Sequence, residues 1–129
     1  MLSNPVRFEI KNSVLYANAQ GEISFKVIVE HYQALFSHPD FFVGIPALYD
    51  FSNVNKVGGD MAHFEQTARE MGDSNIIDKP CNVAILVSAE HASVGKVFEA
   101  YSLMMDYTLM NVRVFYQHDV AEEWLNIES

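Results

Sequence analysis

Two carboxylates near the middle of the 129-residue chain stand where a functional site is expected. Asp50 follows the apolar run Ala47-Leu48-Tyr49, a pattern that predicts a strand buried on both faces and ended by the aspartate. Asp60 stands where a helix is predicted to begin. In parallel α/β sheets, ligands and partners bind beyond the carboxyl ends of the strands. The sequence therefore predicts that a loop from Ser52 to Asp60 forms the functional edge.

The carboxylate of Asp50 has two chemical interpretations. At the end of a strand it can accept backbone N–H groups of the next loop, or it can act as a general base. No His, Ser or Cys nucleophile pattern surrounds it, which favours the role of loop organiser over that of a base. We therefore predict no catalytic residue and a protein that is not an enzyme, with base catalysis by Asp50 as the weaker alternative.

Other reactive residue types do not form a recognisable motif. Gly58-Gly59 lack the spacing and the Lys-Ser/Thr of a phosphate-binding loop, and the five His and one Cys form neither H-E-x-x-H nor C-x-x-C. Cys81 stands beside an apolar run and is interpreted as a small buried hydrophobe. His31 and His38 are expected to face the solvent. We predict no bound metal and no cofactor.

Charge and hydropathy exclude several classes of partner. The chain carries 8 basic and 17 acidic side chains, a formal charge of −9, so nucleic acids and anionic membrane surfaces would be repelled. Its apolar stretches are shorter than the roughly 18 residues that span a bilayer. Residues 1–7 lack the apolar core of a signal peptide. We expect a single domain over residues 1–129, without an integral membrane segment, in the cytoplasm.

The periodicity of apolar residues predicts the elements that position these groups. Val6, Phe8 and Ile10 alternate with charged residues as in an edge strand, and a turn at Asn12-Ser13 leads to a second strand that ends by Gly21. Helical spacing then predicts a helix over 22–37 with Ser24 as N-cap, a helix over 60–72 and a helix from Ser88. A capping box of Asp119 and Glu122 begins a short closing helix. Apolar runs predict the strand before Asp50 and strands at 83–87 and 112–115.

The order of elements is therefore ββαβαβαβα. Strands that alternate with helices after an initial hairpin require parallel neighbours joined by crossovers. The predicted fold class is α/β.

Two segments resemble a known family. The run from Tyr49 to Val54, and Val112–Phe115 followed by Asp119–Leu125, are similar to SpoIIAA-like proteins of the STAS fold, and the resemblance extends from Val6 to Leu125. It implies a small bacterial domain with a mixed sheet of four or five strands and with helices mainly on one side.

The same resemblance bears on regulation. Anti-sigma-factor antagonists of this fold carry an Asp-Ser-Ser-Gly turn, in which a phosphorylatable Ser at a helix start switches partner binding. Alignment from Asp50 places Gly58 at the Asp of that turn and Gly59 at the phosphorylated Ser, with Asp60 next. The acceptor is missing, so we predict that kinase control of this kind does not operate.

Two functions follow as hypotheses. The first is a regulatory or protein-interaction domain that binds a protein partner, or a second copy of itself as a homodimer, through one edge, which comprises Asp50, Ser52, Asn53, Gly58, Gly59, Asp60, Met61 and Phe64. The second follows from a topological resemblance of SpoIIAA-like proteins to lipid-carrying CRAL-TRIO domains. It is a carrier or sensor of a small apolar ligand held between sheet and helices by Met61, Phe64, Phe98, Tyr101, Met104 and Met105.

Overall fold

The computed structural model describes residues 5–58, 80–104 and 110–126, and the side chain of Met104 is not described. Eight regular elements lie in these ranges: strands Arg7–Lys11 (β1), Val14–Ser24 (β2), Ala47–Gly58 (β3), Cys81–Leu86 (β4) and Met110–Phe115 (β5), and helices Phe25–Phe36 (α1), Ala92–Met104 (α2) and His118–Leu125 (α3). A 3-10 turn, Ala89–His91, precedes α2. The helix predicted over 60–72 lies outside the described residues.

The five strands form one mixed sheet in the order β1-β2-β3-β4-β5. β1 pairs antiparallel with β2, and each later pair is parallel. Asn12 and Ser13 both have positive φ, 54° and 62°, as a two-residue type I′ hairpin turn requires. The predicted α/β class, the opening hairpin and a mixed sheet of four or five strands are confirmed.

Local sequence explains where α1 begins. Ser24 has extended backbone, and its hydroxyl accepts a hydrogen bond from the Val27 N–H at 3.2 Å, as an N-cap does. Phe25, Ile28, Tyr32 and Leu35 then recur at helical spacing and are buried against the sheet. Ser24 is also the last residue of β2, so strand and helix join without a loop.

The sheet buries a large core on one face and a small one on the other. α1 and α2 cover the first face, where Leu15, Tyr49, Ile85 and Val112 lie beneath them. On the opposite face α3 packs Ala121 and Leu125 on Leu48 and Ala84. Of the three described helices, two thus lie on one side of the sheet, as predicted. Over β1 and β2 the second face carries exposed polar side chains, including Arg7, Asn18 and Gln20.

Three sequence predictions about element ends and exposure are wrong. β3 continues through Asp50 to Gly58, because its extended backbone stays paired with β2 after β4 ends. His31 is 2% exposed, since its position between Ile28 and Leu35 places it on the face of α1 that packs on the sheet. Asp119 lies in the first turn of α3, whose N-cap is Gln117.

Other predictions are confirmed with small changes in bounds. Cys81 is buried, and its Sγ lies 3.1 Å from the Gly44 N–H that donates to it. β4 lies between two strands, as the apolar run at 83–87 indicated. β5 begins at Met110, two residues before the predicted start, and β2 ends at Ser24 instead of Gly21.

Candidate functional site

Three polar residues form a straight row across the first three strands. Arg7 of β1 is directly opposite Asn18 of β2, and Asn18 is in register with Asp50 of β3. Residues directly opposite on neighbouring strands share one face of a sheet. One end of the row is therefore cationic, the other end anionic, and a carboxamide lies between them.

All three residues of the row line an open depression of about 600 Å³. We name this depression the polar groove; its polar lining side chains are Arg7, Asn18, Gln20, Asp50 and Asn53. Within the described residues, no other side chain forms a hydrogen bond with the guanidinium of Arg7 or with the carboxamides of Asn18, Gln20 and Asn53. The groove lies where β2 and β3 run past the end of β4, at the carboxyl side of parallel strands. Ligands of α/β proteins bind on that side.

The carboxylate of Asp50 has a local structural role as well. Its Oδ1 accepts the Ser52 N–H at 3.1 Å and the Ser52 hydroxyl at 2.6 Å. These bonds span the first of two register shifts, between the pairs Asn18/Asp50 and Gln20/Asn53, where β3 carries one extra residue. The predicted capture of a following backbone N–H by Asp50 is thus observed, although within a bulged strand and not in a loop.

The second register shift follows Gly21. Gly21 has φ of +75°, a conformation that favours glycine, and the extra residue is again on β3. Through both bulges β2 and β3 stay paired with each other beyond the end of β4. We name this two-strand segment, residues 20–24 of β2 and 53–58 of β3, the extension.

The structure places only half of the predicted partner-binding edge. Asp50, Ser52, Asn53 and Gly58 all belong to β3, and Asp50 and Asn53 line the polar groove. Gly59, Asp60, Met61 and Phe64 lie outside the described residues. Whether this edge binds a partner stays a prediction.

Sequence reasoning missed Arg7, Asn18 and Gln20 as site residues. The alternation of β1 assigns Arg7 to the wet face, and Asn18 and Gln20 are two residues apart as on one face of a strand. That signal was present. The register that aligns these residues with Asp50 could not be predicted, because the sequence of one strand alone does not specify how it pairs with another.

A second polar cluster is buried between α1 and the sheet. His31 Nε2 and the Tyr49 hydroxyl share a hydrogen bond of 2.6 Å, and the hydroxyls of Tyr32 and Tyr101 bond each other. The His31 ring also packs nearly perpendicular to the ring of Phe8 of β1, with the centroids 5.2 Å apart. His31 Nδ1 is buried without a hydrogen-bond partner.

Burial shifts the pKa of each of these groups toward its neutral form. It lowers the pKa of His31 from 6.5 to about 4 and raises the pKa of Tyr32 to about 12. Burial also raises the pKa of Tyr49 and of Tyr101 well above 10. At neutral pH the cluster is therefore uncharged, as an apolar interior requires.

The predicted apolar pocket is only partly described. Phe98 packs on Phe51 with ring centroids 5.3 Å apart, and both Phe98 and Tyr101 are almost completely buried. Met61, Phe64 and Met105 lie outside the described residues, and the side chain of Met104 is not described. A separate apolar cavity beneath α1, beside Tyr32, Phe36 and Cys81, has a volume of about 20 Å³, room for one water.

Among the described residues, no group of three or more His, Cys, Asp or Glu is placed to hold a metal ion. Across residues 5–58, 80–104 and 110–126, none of the helices is long and apolar enough to cross a membrane.

Comparisons with known proteins bear on the fold. No protein-family model matches the chain, and no curated protein matches it either. A solved structure does match: an uncharacterized protein from the DUF3478 family of Shewanella loihica PV-4, with a SpoIIAA-like fold. The match covers 97% of this chain and 98% of that one, with a TM-score of 0.55 and 16% sequence identity.

The chain has a SpoIIAA-like fold. The fold predicted from its motifs is thereby confirmed. At 16% identity the likeness concerns the fold, and one fold serves many functions. The function of this SpoIIAA-like chain therefore depends on its own residues.

Proposed function

We propose that this SpoIIAA-like chain is a non-enzymatic, cytoplasmic protein-interaction domain that binds its partner along the extension. One observation supports the proposal above the others. From residue 51 to residue 58, β3 pairs with β2 and with no other described strand. A strand edge of this kind presents backbone N–H and C=O groups that a partner strand can pair with.

The side chains of the extension suit a protein surface. Asn53, Asn55 and Lys56 are exposed, while Val54 between them is completely buried and holds the strand on the core. Lys56 Nζ lies 3.9 Å from Glu22 Oε1, with both side chains more than half exposed. Such a pair contributes about 0–1 kcal/mol, so a partner could displace it at small cost.

Site-specific photo-crosslinking tests the proposal. A benzophenone side chain introduced at Asn55, on the extension, should crosslink a defined protein or a second copy of the chain in a lysate of the source cells. The matched control carries the same group at Gln33, an exposed position of α1. Capture of the same products at equal yield from both positions would contradict the proposal.

The alternative function, a carrier of a small apolar ligand, receives no support from the described residues. Phe98 and Tyr101 belong to the filled core, and the cavity beneath α1 has a volume of about 20 Å³. Native mass spectrometry of gently purified protein separates the two functions. A retained apolar adduct would replace the interaction proposal with the carrier, and a bare protein mass would count against the carrier.

A further inference from the structure

The polar groove shares Gln20 and Asn53 with the extension, and it carries two charges that the interaction proposal does not use. Arg7 and Asp50, which both line the groove, are separated by one strand, β2. Neighbouring strands are 4.7–4.9 Å apart, so the two backbones are about 9.6 Å apart. Neither side chain forms an ion pair with another described residue. In a chain of net charge −9, the groove is thus a locally neutral site with separated charges.

We propose that the polar groove binds a short zwitterionic peptide of two or three residues. The guanidinium of Arg7 receives the terminal carboxylate, and the carboxylate of Asp50 receives the terminal ammonium. Asn18, Gln20 and Asn53 lie between or beside these ends, and a carboxamide can donate to a peptide C=O and accept from a peptide N–H. Each group of the ligand then has a counterpart in the groove.

The length of the ligand follows from the span of the row. An extended peptide advances about 3.3–3.6 Å per residue, so two or three residues cover about 7–11 Å. A single amino acid is about one residue long, about a third of the backbone span between Arg7 and Asp50. The volume of the groove, about 600 Å³, lies in the range of small-ligand sites.

The arrangement at Asp50 also leaves it able to bind an ammonium group. Ser52 bonds Oδ1 through its N–H and its hydroxyl, which fixes the carboxylate in one orientation. The second oxygen, Oδ2, has no partner among the described residues. A fixed carboxylate with one open oxygen is organised for a charge-assisted hydrogen bond.

Titration followed by ¹⁵N–¹H correlation NMR tests the site with the purified chain. Dialanine and trialanine should shift the amides of Arg7, Asn18 and Asp50, with a dissociation constant on the order of 1 mM for so open a groove. N-acetyl-dialanine and dialanine amide each lack one charge and should bind about tenfold more weakly. Free alanine should also bind about tenfold more weakly, because it meets one end only.

Two variants and a matched control locate the binding. Arg7→Gln and Asp50→Asn should each weaken dialanine binding about tenfold. Asp50→Asn keeps an acceptor for Ser52 and therefore preserves the bulge. Lys11→Gln removes a cation from the same face of β1 but outside the groove, and it should leave binding unchanged. Equal binding of the acetylated, amidated and free dipeptides, unchanged binding in both variants, or no shift with any peptide would overturn the proposal. These results concern the groove alone and leave the crosslinking test of the extension independent.

Discussion

His31 Nε2 of α1 lies 2.6 Å from the Tyr49 hydroxyl of β3, and this hydrogen bond joins a helix to the middle strand of the sheet inside the core. The neighbours of the imidazole are Tyr49, Tyr32 and Phe8, none of which carries a charge at neutral pH. A proton added to His31 would therefore be buried without a counter-charge among them.

Protonation of His31 should make the fold weaker in acid. Burial lowers its pKa from 6.5 to about 4, so the unfolded chain binds the proton more readily than the folded one. The stabilisation is complete above pH 6.5 and is lost as the pH falls toward 4, by about 3 kcal/mol in total. Urea unfolding of wild type and of a His31→Leu/Tyr49→Phe variant between pH 7 and pH 4 measures the difference.

In that comparison the variant should lack the part of the pH dependence that belongs to His31. The double substitution is used because His31→Leu alone leaves the Tyr49 hydroxyl buried without its partner. His38→Asn, at a partly exposed position two residues beyond the end of α1, is the comparison variant that removes a different imidazole. Parallel stability curves for wild type and double variant would show that His31 is not the titrating group.

Tyr32 and Tyr101 offer a test of buried hydroxyl pairing. Tyr101→Phe should destabilise the fold by about 1–3 kcal/mol, because the Tyr32 hydroxyl loses its partner in a fully buried place. The double variant Tyr32→Phe/Tyr101→Phe should be more stable than the single one. Chemical denaturation of the three proteins decides this. A double variant less stable than Tyr101→Phe would show that the Tyr32 hydroxyl has another partner.

Gly95 lies inside α2 with the ring of Tyr116 against it. A Cβ at this position would lie 3.3 Å from Tyr116 Cζ and closer still to its hydroxyl, so the ring must move. Tyr116 is 48% exposed and can move, but it then leaves Glu99, whose Oε1 accepts its hydroxyl at 3.4 Å. Gly95→Ala should therefore gain less than the roughly 1 kcal/mol expected from helix propensity.

In a Tyr116→Ala background the full gain from Gly95→Ala should appear. Thermal denaturation of the four proteins in this cycle gives the coupling energy, which we expect to be about 0.5 kcal/mol or more. Simple additivity would mean that the ring of Tyr116 is not held against Gly95 in solution.

Ser24→Ala should destabilise the chain by about 1 kcal/mol, because the Val27 N–H loses the side-chain oxygen that caps α1. Ser93→Ala removes an exposed hydroxyl near the start of α2 and should change stability by less than about 0.5 kcal/mol. Equilibrium unfolding in urea compares the two. Equal effects would argue against the cap at Ser24.

The parts of the fold that could be predicted are those whose signal is local. The alternation in β1, the cap at Ser24 and the apolar run of β4 each depend on a few neighbouring residues, and each is found where it was predicted. His31 shows the limit of residue type as a guide. The polarity of His31 predicted a solvent-exposed side chain. Its position on the apolar face of α1 nevertheless determines that it is buried.

The candidate site could be predicted only in part, because it depends on register. Asp50 was recognised as important, yet its strand was expected to stop there, since a carboxylate is unusual in a strand buried on both faces. One face of β3 is open at Asp50, where it lines the polar groove. The bulges that shift β3 against β2 are also pairwise features, and neither strand alone specifies them.

The junction at Ser24 has a mechanical consequence. The last pair of the extension is Ser24 with Gly58, and α1 begins at the next residue, Phe25. No loop is present to absorb a rotation between them. A molecule that twists the extension must therefore tilt α1 as well, and α1 carries His31 and Tyr32 into the core. Strand and helix therefore move as one rigid unit. Binding at the extension is transmitted through α1 to the hydrogen bonds that His31 and Tyr32 make with the buried Tyr49 and Tyr101 hydroxyls.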